Sequence, residues 1–289
     1  MMKKTYLYFI ALTIHSPAYA LEFVPGDYEM LPPDKSIVLT YFQATESHKM
    51  YSDHRRVAGN NKFHSEATLL RYIYGYRPTP FLSIEPQLIV PWVKANTEAD
   101  ATPLGDSSGV GDIILGLPFK YRLNTDHGDI FSIAPYLYVP TGHYQSDQAV
   151  NIGANYWRYL LQAAYIHHFS DQWSLDTGAD VSWVSTNHHY GRSHDNETQT
   201  PKYEYQLYLR YNLDPATQLG FGGGWIKGAG DIVNHRSLED KVDTRYLRLS
   251  AAHFFTSAFQ AELSLGRDLT VEQGFKQNSF LSIRLGYLF

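Results

Sequence analysis

Alternation with a period of two, repeated along most of the chain, restricts this sequence more than any other feature. In QWSLDTGADVSWV, residues 172–184, the positions Trp173, Leu175, Thr177, Ala179, Val181 and Trp183 form a mostly apolar row. Between them Gln172, Ser174, Asp176, Gly178, Asp180 and Ser182 are small, polar or acidic. Period two means a strand with two unlike faces. One such strand fits a water-soluble sandwich as well as a membrane wall, so its neighbours must decide.

Comparable segments recur at 36–45, 64–76, 81–95, 109–123, 129–140, 156–169, 172–186, 201–213, 217–228, 242–256, 257–269 and 277–289. Short connections at 77–80, 124–128, 170–171, 214–216 and near Ser257 alternate with longer polar ones at 46–63, 96–108, 141–155, 187–200, 229–241 and 270–276. Short periplasmic turns alternating with long outer loops are the mark of a membrane barrel, and a sandwich has no reason to sort its loops this way. The pattern predicts an all-β fold, a transmembrane antiparallel up-and-down β-barrel of about 12 strands over residues 36–289.

Residues 1–20 read as a secretory leader: Lys3 and Lys4, an apolar run, then Ala18-Tyr19-Ala20 as the cleavage site. No later stretch is apolar for long enough to form a membrane-spanning helix. With 0 Cys in an exported chain, disulfides and thiolate metal sites are excluded. The formal net charge of −5 becomes more negative without the leader lysines, which argues against nucleic acid as a partner. The chain also carries 23 Tyr, 15 Phe and 5 Trp, an aromatic load that suits the two rims of a bilayer. Trp173 and Trp183 share a face, and at about 3.3 Å per residue and a tilt of about 40° they stand about 25 Å apart along the barrel axis. That row should meet lipid, leaving Asp176 and Asp180 inside.

The same sorting assigns a lumen-lining set: Asp112, Lys120, Tyr136, Tyr138, Arg158, Asp176, Asp180, Glu204, Tyr208, Arg210, Tyr246, Arg248, Glu262, Phe280 and Arg284. A basic group facing lipid at mid-depth costs about 2–4 kcal/mol, which enforces the separation. Charges of both signs at short range should pair with one another rather than form a one-signed ring. The final strand ends Leu281, Ile283, Leu285, Tyr287, Phe289 on one parity, like the signal read by the outer-membrane assembly machinery. Outer-membrane lipid of a Gram-negative bacterium is thus the expected surrounding. The stretch 21–35 lacks alternation and is expected either to lie in the periplasm or to fold into the lumen as a plug or gate.

Pro25-Gly26-Asp27-Tyr28 followed by Leu31-Pro32-Pro33, GVGDIILG at 109–116, and Val139-Pro-Thr-Gly142 ahead of Asn151-Ile-Gly-Ala-Asn-Tyr-Trp157 occur in an order and spacing that resemble the MetA-pathway of phenol degradation family. The resemblance covers nearly all of the mature chain. It implies an outer-membrane channel for small hydrophobic or aromatic compounds. His143, directly after Pro-Thr-Gly, departs from the pattern.

Other candidates carry less. His143, Ser146 and Asn155 have the residue types of a rim hydrolase, but in a regular strand His143 and Ser146 point to opposite faces. No catalytic residue, cofactor or metal site is assigned. His188, His189, His194, Asp195 and Glu197 could ligate a divalent cation, the alternative being a solvated, disordered loop. Phe221-Gly-Gly-Gly-Trp225 has no helix after it to make a nucleotide site and reads as a place of close backbone approach. The expected function is a passive channel for small hydrophobic or aromatic solutes. The alternatives are a non-transporting barrel that binds a partner through its outer loops and, less favoured, a rim hydrolase.

Overall fold

The computed structural model describes residues 22–289 and, before them, only the backbone of Ile14–His15, which runs parallel to Val150–Asn151. The predicted leader and its cleavage point otherwise lie outside the described residues. The strands are β1 (Lys35–Ser52), β2 (Asn61–Thr79), β3 (Leu82–Ile84 and Gln87–Ala99), β4 (Ser107–Val110, Ile113–Gly116 and Phe119–Arg122), β5 (Ile130–Val139) and β6 (Arg158–His168). They continue as β7 (Trp173–Val184), β8 (Lys202–Asp214), β9 (Thr217–Gly228), β10 (Val242–Phe254), β11 (Phe259–Val271) and β12 (Gly274–Leu288). Each pairs antiparallel with its neighbours in sequence, and β12 pairs with β1 from Ile37↔Leu288 to Tyr51↔Gly274, which closes a 12-strand barrel. Closure leaves no strand edge unpaired, the condition for strands to cross lipid.

Side chains divide as the alternation requires. Trp173, Trp183, Tyr205, Leu207, Leu249 and Leu265 are exposed on the outer wall, whereas Asp176, Glu204, Gln206 and Arg248 are buried inside. The strand edges match the pattern closely where an apolar row exists, and β9 matches it residue for residue.

Three local differences have physical causes. β1 runs on to Ser52 inside the predicted loop 46–63, paired with β12 as far as Tyr51↔Gly274, and β2 begins at Asn61, paired with β3 at Asn61↔Ala99; beyond the membrane both faces meet water, so pairing continues without an apolar row to mark it. The expected single strands 81–95 and 109–123 are interrupted at Glu85-Pro86, Gly111-Asp112 and Leu117-Pro118. Proline has no N–H for the ladder, and the two proline breaks lie side by side, joined by the Glu85 N–H donating to the Pro118 carbonyl at 2.9 Å. Finally, the long connections are ordered: Asn187–Tyr190, Asp195–Gln199, Asp231–Val233 and Arg236–Ser237 form a separate four-stranded sheet.

Candidate functional site

Residues 22–33 turn inside the barrel, and their local sequence explains the turn. Pro25-Gly26 occupies the corner of a β-turn in which the Asp27 N–H donates to the Val24 carbonyl at 3.0 Å. Gly26 has φ of 88°, the left-handed conformation that position requires and that glycine adopts without strain. Phe23 and Tyr28 are each 4 % exposed, and the Phe23 ring meets those of Tyr208 and Tyr28 edge-to-face at 5.6 and 5.5 Å. Wall glycines make the room. A side chain at Gly178 would run into the Phe23 ring, and one at Gly220 would come within 2.5 Å of Pro25.

Acids of this segment meet the inward cations of the wall. Arg248 donates from Nε and Nη2 to the two oxygens of Glu22 at 2.8 and 3.1 Å, and its guanidinium lies between the rings of Tyr246 and Phe280 at 4.4 and 4.1 Å. Arg284 reaches Asp27 at 2.5 Å and also pairs with Glu262. Arg71 lies 3.6 Å from the same Asp27. Arg210 joins Glu29 at 2.6 Å to Asp176 at 3.3 Å. Lys120 donates to the carbonyls of Asp27 and Glu29 at 2.8 and 2.7 Å while pairing with Glu85 at 2.7 Å.

Burial alone would push the Asp27 carboxyl up, but Arg284 and Arg71 outweigh it and hold it below its ordinary value. For Glu29, burial is likewise overcome by the hydrogen bond from His168 and the charge of Arg210, which lower it to about 2. The segment is therefore bound in its ionised form.

Between this segment and the loop sheet lies a cavity of about 1340 Å³. Arg158, Glu204, Tyr208, Tyr246, Arg248, Glu262, Phe280 and Arg284 line it, together with Lys202 and Ile226. Lys120 and Tyr136 line a smaller pocket on the other side of the segment. Asp176 and Arg210 sit against the segment, and Tyr138 and Asp180 are buried in the wall. Asp112 lines neither of these two cavities. It lies in the break of β4, half-buried, and its carboxylate accepts from the backbone N–H groups of Gly142 at 2.9 Å and Ala154 at 3.0 Å. It ties two stretches of an outer connection.

The outer histidines do not converge. His188 Nδ1 lies 2.7 Å from Asn196 Oδ1, His189 and His194 approach one another at 3.1 Å, and Glu197 accepts from Asn187. Among the described residues no group of three or more His, Asp or Glu side chains is arranged to hold a metal ion. His143 Nε2 lies 3.1 Å from the Gln145 amide and Asn155 donates to Asn187, while no hydrogen bond among the described residues joins His143 to Ser146.

Glu22, Asp27, Glu29, Arg71, Glu85 and Lys202 were not anticipated. Lys202 shares the parity of Glu204, Gln206 and Arg210, so the signal for it was present. The three acids stand in an otherwise apolar, proline-rich stretch, a pattern that makes sense only against a cation-rich interior.

A closed barrel with a polar, aromatic-lined interior and a segment folded into it defines an outer-membrane β-barrel of the channel type. The chain belongs to the family described as Putative MetA-pathway of phenol degradation, whose model matches residues 47–285. Among solved structures it is similar to the COG4313 outer membrane channel from Pseudomonas putida F1, with 38% identity over 93% of this chain and 100% of that one and a TM-score of 0.90. It shares its fold with the TodX deltaS2S3 mutant monoaromatic hydrocarbon channel, at 10% identity, 89% and 91% coverage and a TM-score of 0.54. It does so too with the translocator domain of the autotransporter NalP from Neisseria meningitidis, at 11% identity, 91% and 90% coverage and a TM-score of 0.52. No curated protein matches the chain.

Proposed function

We propose that the protein is a passive outer-membrane channel for small hydrophobic or aromatic compounds, with residues 22–33 as a plug across its lumen. The observation that carries this is the cavity: about 1340 Å³ lined by aromatic rings and charged groups, floored by Glu22, Val24 and Pro25. Guanidinium groups beside ring faces suit planar solutes with a phenolic or weakly anionic group. The relation to the Pseudomonas putida channel supports transport. In this account residues 1–20 are removed near Ala20, and the row ending at Phe289 is offered to the assembly machinery.

The ordered loop sheet favours a different reading, a barrel that binds a surface partner. The cavity beneath it and the family weigh towards transport. Vesicles containing the mature protein should take up phenol faster than sugars of similar size. Equal uptake of both, or none beyond empty vesicles, would favour the partner-binding reading instead.

A further inference from the structure

The inward cations fall into two groups. Arg71, Lys120, Arg210, Arg248 and Arg284 each have a carboxylate within 4.0 Å. Among the described residues Arg158 and Lys202 have none, although Arg158 is only 8 % exposed and both line the cavity. A buried cation without an ion pair is costly unless something else satisfies it.

The two begin neighbouring parts of the wall. Arg158 opens β6 and Lys202 opens β8, with β7 between them; Val184 pairs with Arg158, and Ser182 with Lys202. Their backbones are thus about 12 Å apart, two strand spacings sideways and two residues along, a gap that two long side chains can close. Arg158 leans on the rings of Tyr138 and Tyr156 at 5.5 and 5.8 Å and donates to the Tyr156 hydroxyl at 3.2 Å. Tyr138, behind the cavity wall, gives Arg158 its ring face.

Acids are near but engaged. Asp180 and Glu204 lie opposite one another one rung further into the lumen. Asp180 accepts from Gln162 at 3.2 Å, Glu204 accepts from the Tyr246 hydroxyl at 2.6 Å, and Asp112 is held by backbone N–H groups. Among the described residues none of the three comes within 4.0 Å of either cation; Glu204 and Asp180 act on Lys202, and Asp112 and Asp180 on Arg158, only at longer range. Two cations on the cavity wall, with acids set back behind them, present the donors that a carboxylate group accepts from. Beyond them Tyr246, Tyr208 and Ile226 offer apolar surface for a ring.

We infer that Arg158 and Lys202 form a carboxylate-binding subsite, so that the cavity takes small aromatic acids ring-first against its tyrosines. The inference rests on the channel reading and specifies its solute. No covalent step is involved.

The test uses benzoate and benzyl alcohol, two rings of similar size that differ in charge. Binding to the mature protein in detergent is measured by calorimetry, with the heat-dependent gel mobility of each variant confirming a folded barrel. Wild type should bind benzoate more tightly than benzyl alcohol. In Arg158→Gln and in Lys202→Gln that ratio should fall about tenfold, the effect of losing one charge-assisted hydrogen bond. Lys202→Arg, which keeps the charge, should preserve it. An unchanged ratio in folded Arg158→Gln and Lys202→Gln, or no preference for benzoate in wild type, would overturn the subsite. Flux of benzyl alcohol into vesicles is a separate readout: its absence refutes the channel, whatever benzoate binding shows.

Discussion

The two ends of the lumen use the same side chains for opposite purposes. Around residues 22–33 every inward cation is committed: Arg248 to Glu22, Arg284 to Asp27 and Glu262, Arg210 to Glu29 and Asp176, Lys120 to Glu85 and two backbone carbonyls. On the cavity side of the segment Arg158 and Lys202 face space. Paired charge in a confined interior fixes a structure, whereas unpaired charge beside a cavity leaves donors free for a solute. One end of the barrel therefore holds a piece of its own chain, and the other is shaped to receive something else.

Arginine replacement separates the two ends most strongly. Arg284→Ala strands the Glu262 carboxylate and leaves Asp27 to Arg71 alone, and should cost about 3–5 kcal/mol, the range for breaking a buried pair. Arg158→Ala gives up ring contacts and one hydrogen bond and should cost no more than about 2 kcal/mol. Thermal unfolding in detergent micelles measures both. Equal losses would show that the ion pairs do not distinguish the ends.

A smaller effect is expected from Gly178→Leu, which drives a side chain into the position of the Phe23 ring. Overpacking of this kind costs about 1–3 kcal/mol and should be relieved by expelling the segment rather than by unfolding the barrel. Limited proteolysis should then cut within residues 22–33 while the barrel keeps its heat-dependent mobility. A segment as protected as in wild type would mean that the glycine has no part in seating it.

Acid should give the smallest effect. Glu29 sits at about 2 in the folded chain against 4.5 for a free glutamate, so its contribution is fully present above pH 4.5 and is lost as pH falls towards 2. Its carboxylate is partly exposed, which screens the interaction and limits its size. Protease protection of residues 22–33 should thus be constant from pH 7 to 5 and weaken below 4.5. Release between pH 7 and 5 would assign the hold to other groups.

These contrasts also show what a one-dimensional pattern can carry. The wall was legible because lipid imposes a strict rule on every second residue, and strands such as β9 end where that rule ends. The extensions of β1 to Ser52 and of β2 back to Asn61, and the loop sheet, were not, since above the membrane both faces meet water and pairing leaves no apolar trace. Parity assigns an inward set, but the Gly111-Asp112 break in β4 is silent in an alternation. The pairings themselves were hidden. Arg248 was expected to meet acids of the wall, yet Glu22, distant in sequence, is its partner. Parity says which way a side chain points within a strand, and nothing about an irregular segment that arrives from elsewhere.

The most direct test of the account is single-channel conductance in planar bilayers, comparing the mature protein with a chain lacking residues 22–33. Removing the segment leaves Arg210, Arg248 and Arg284 without their partners from it and opens the floor of the cavity. The account predicts a clear rise in conductance through a barrel that remains folded. Equal or lower conductance in the shortened, folded protein would contradict it, because the lumen would then be closed by the wall and not by the segment.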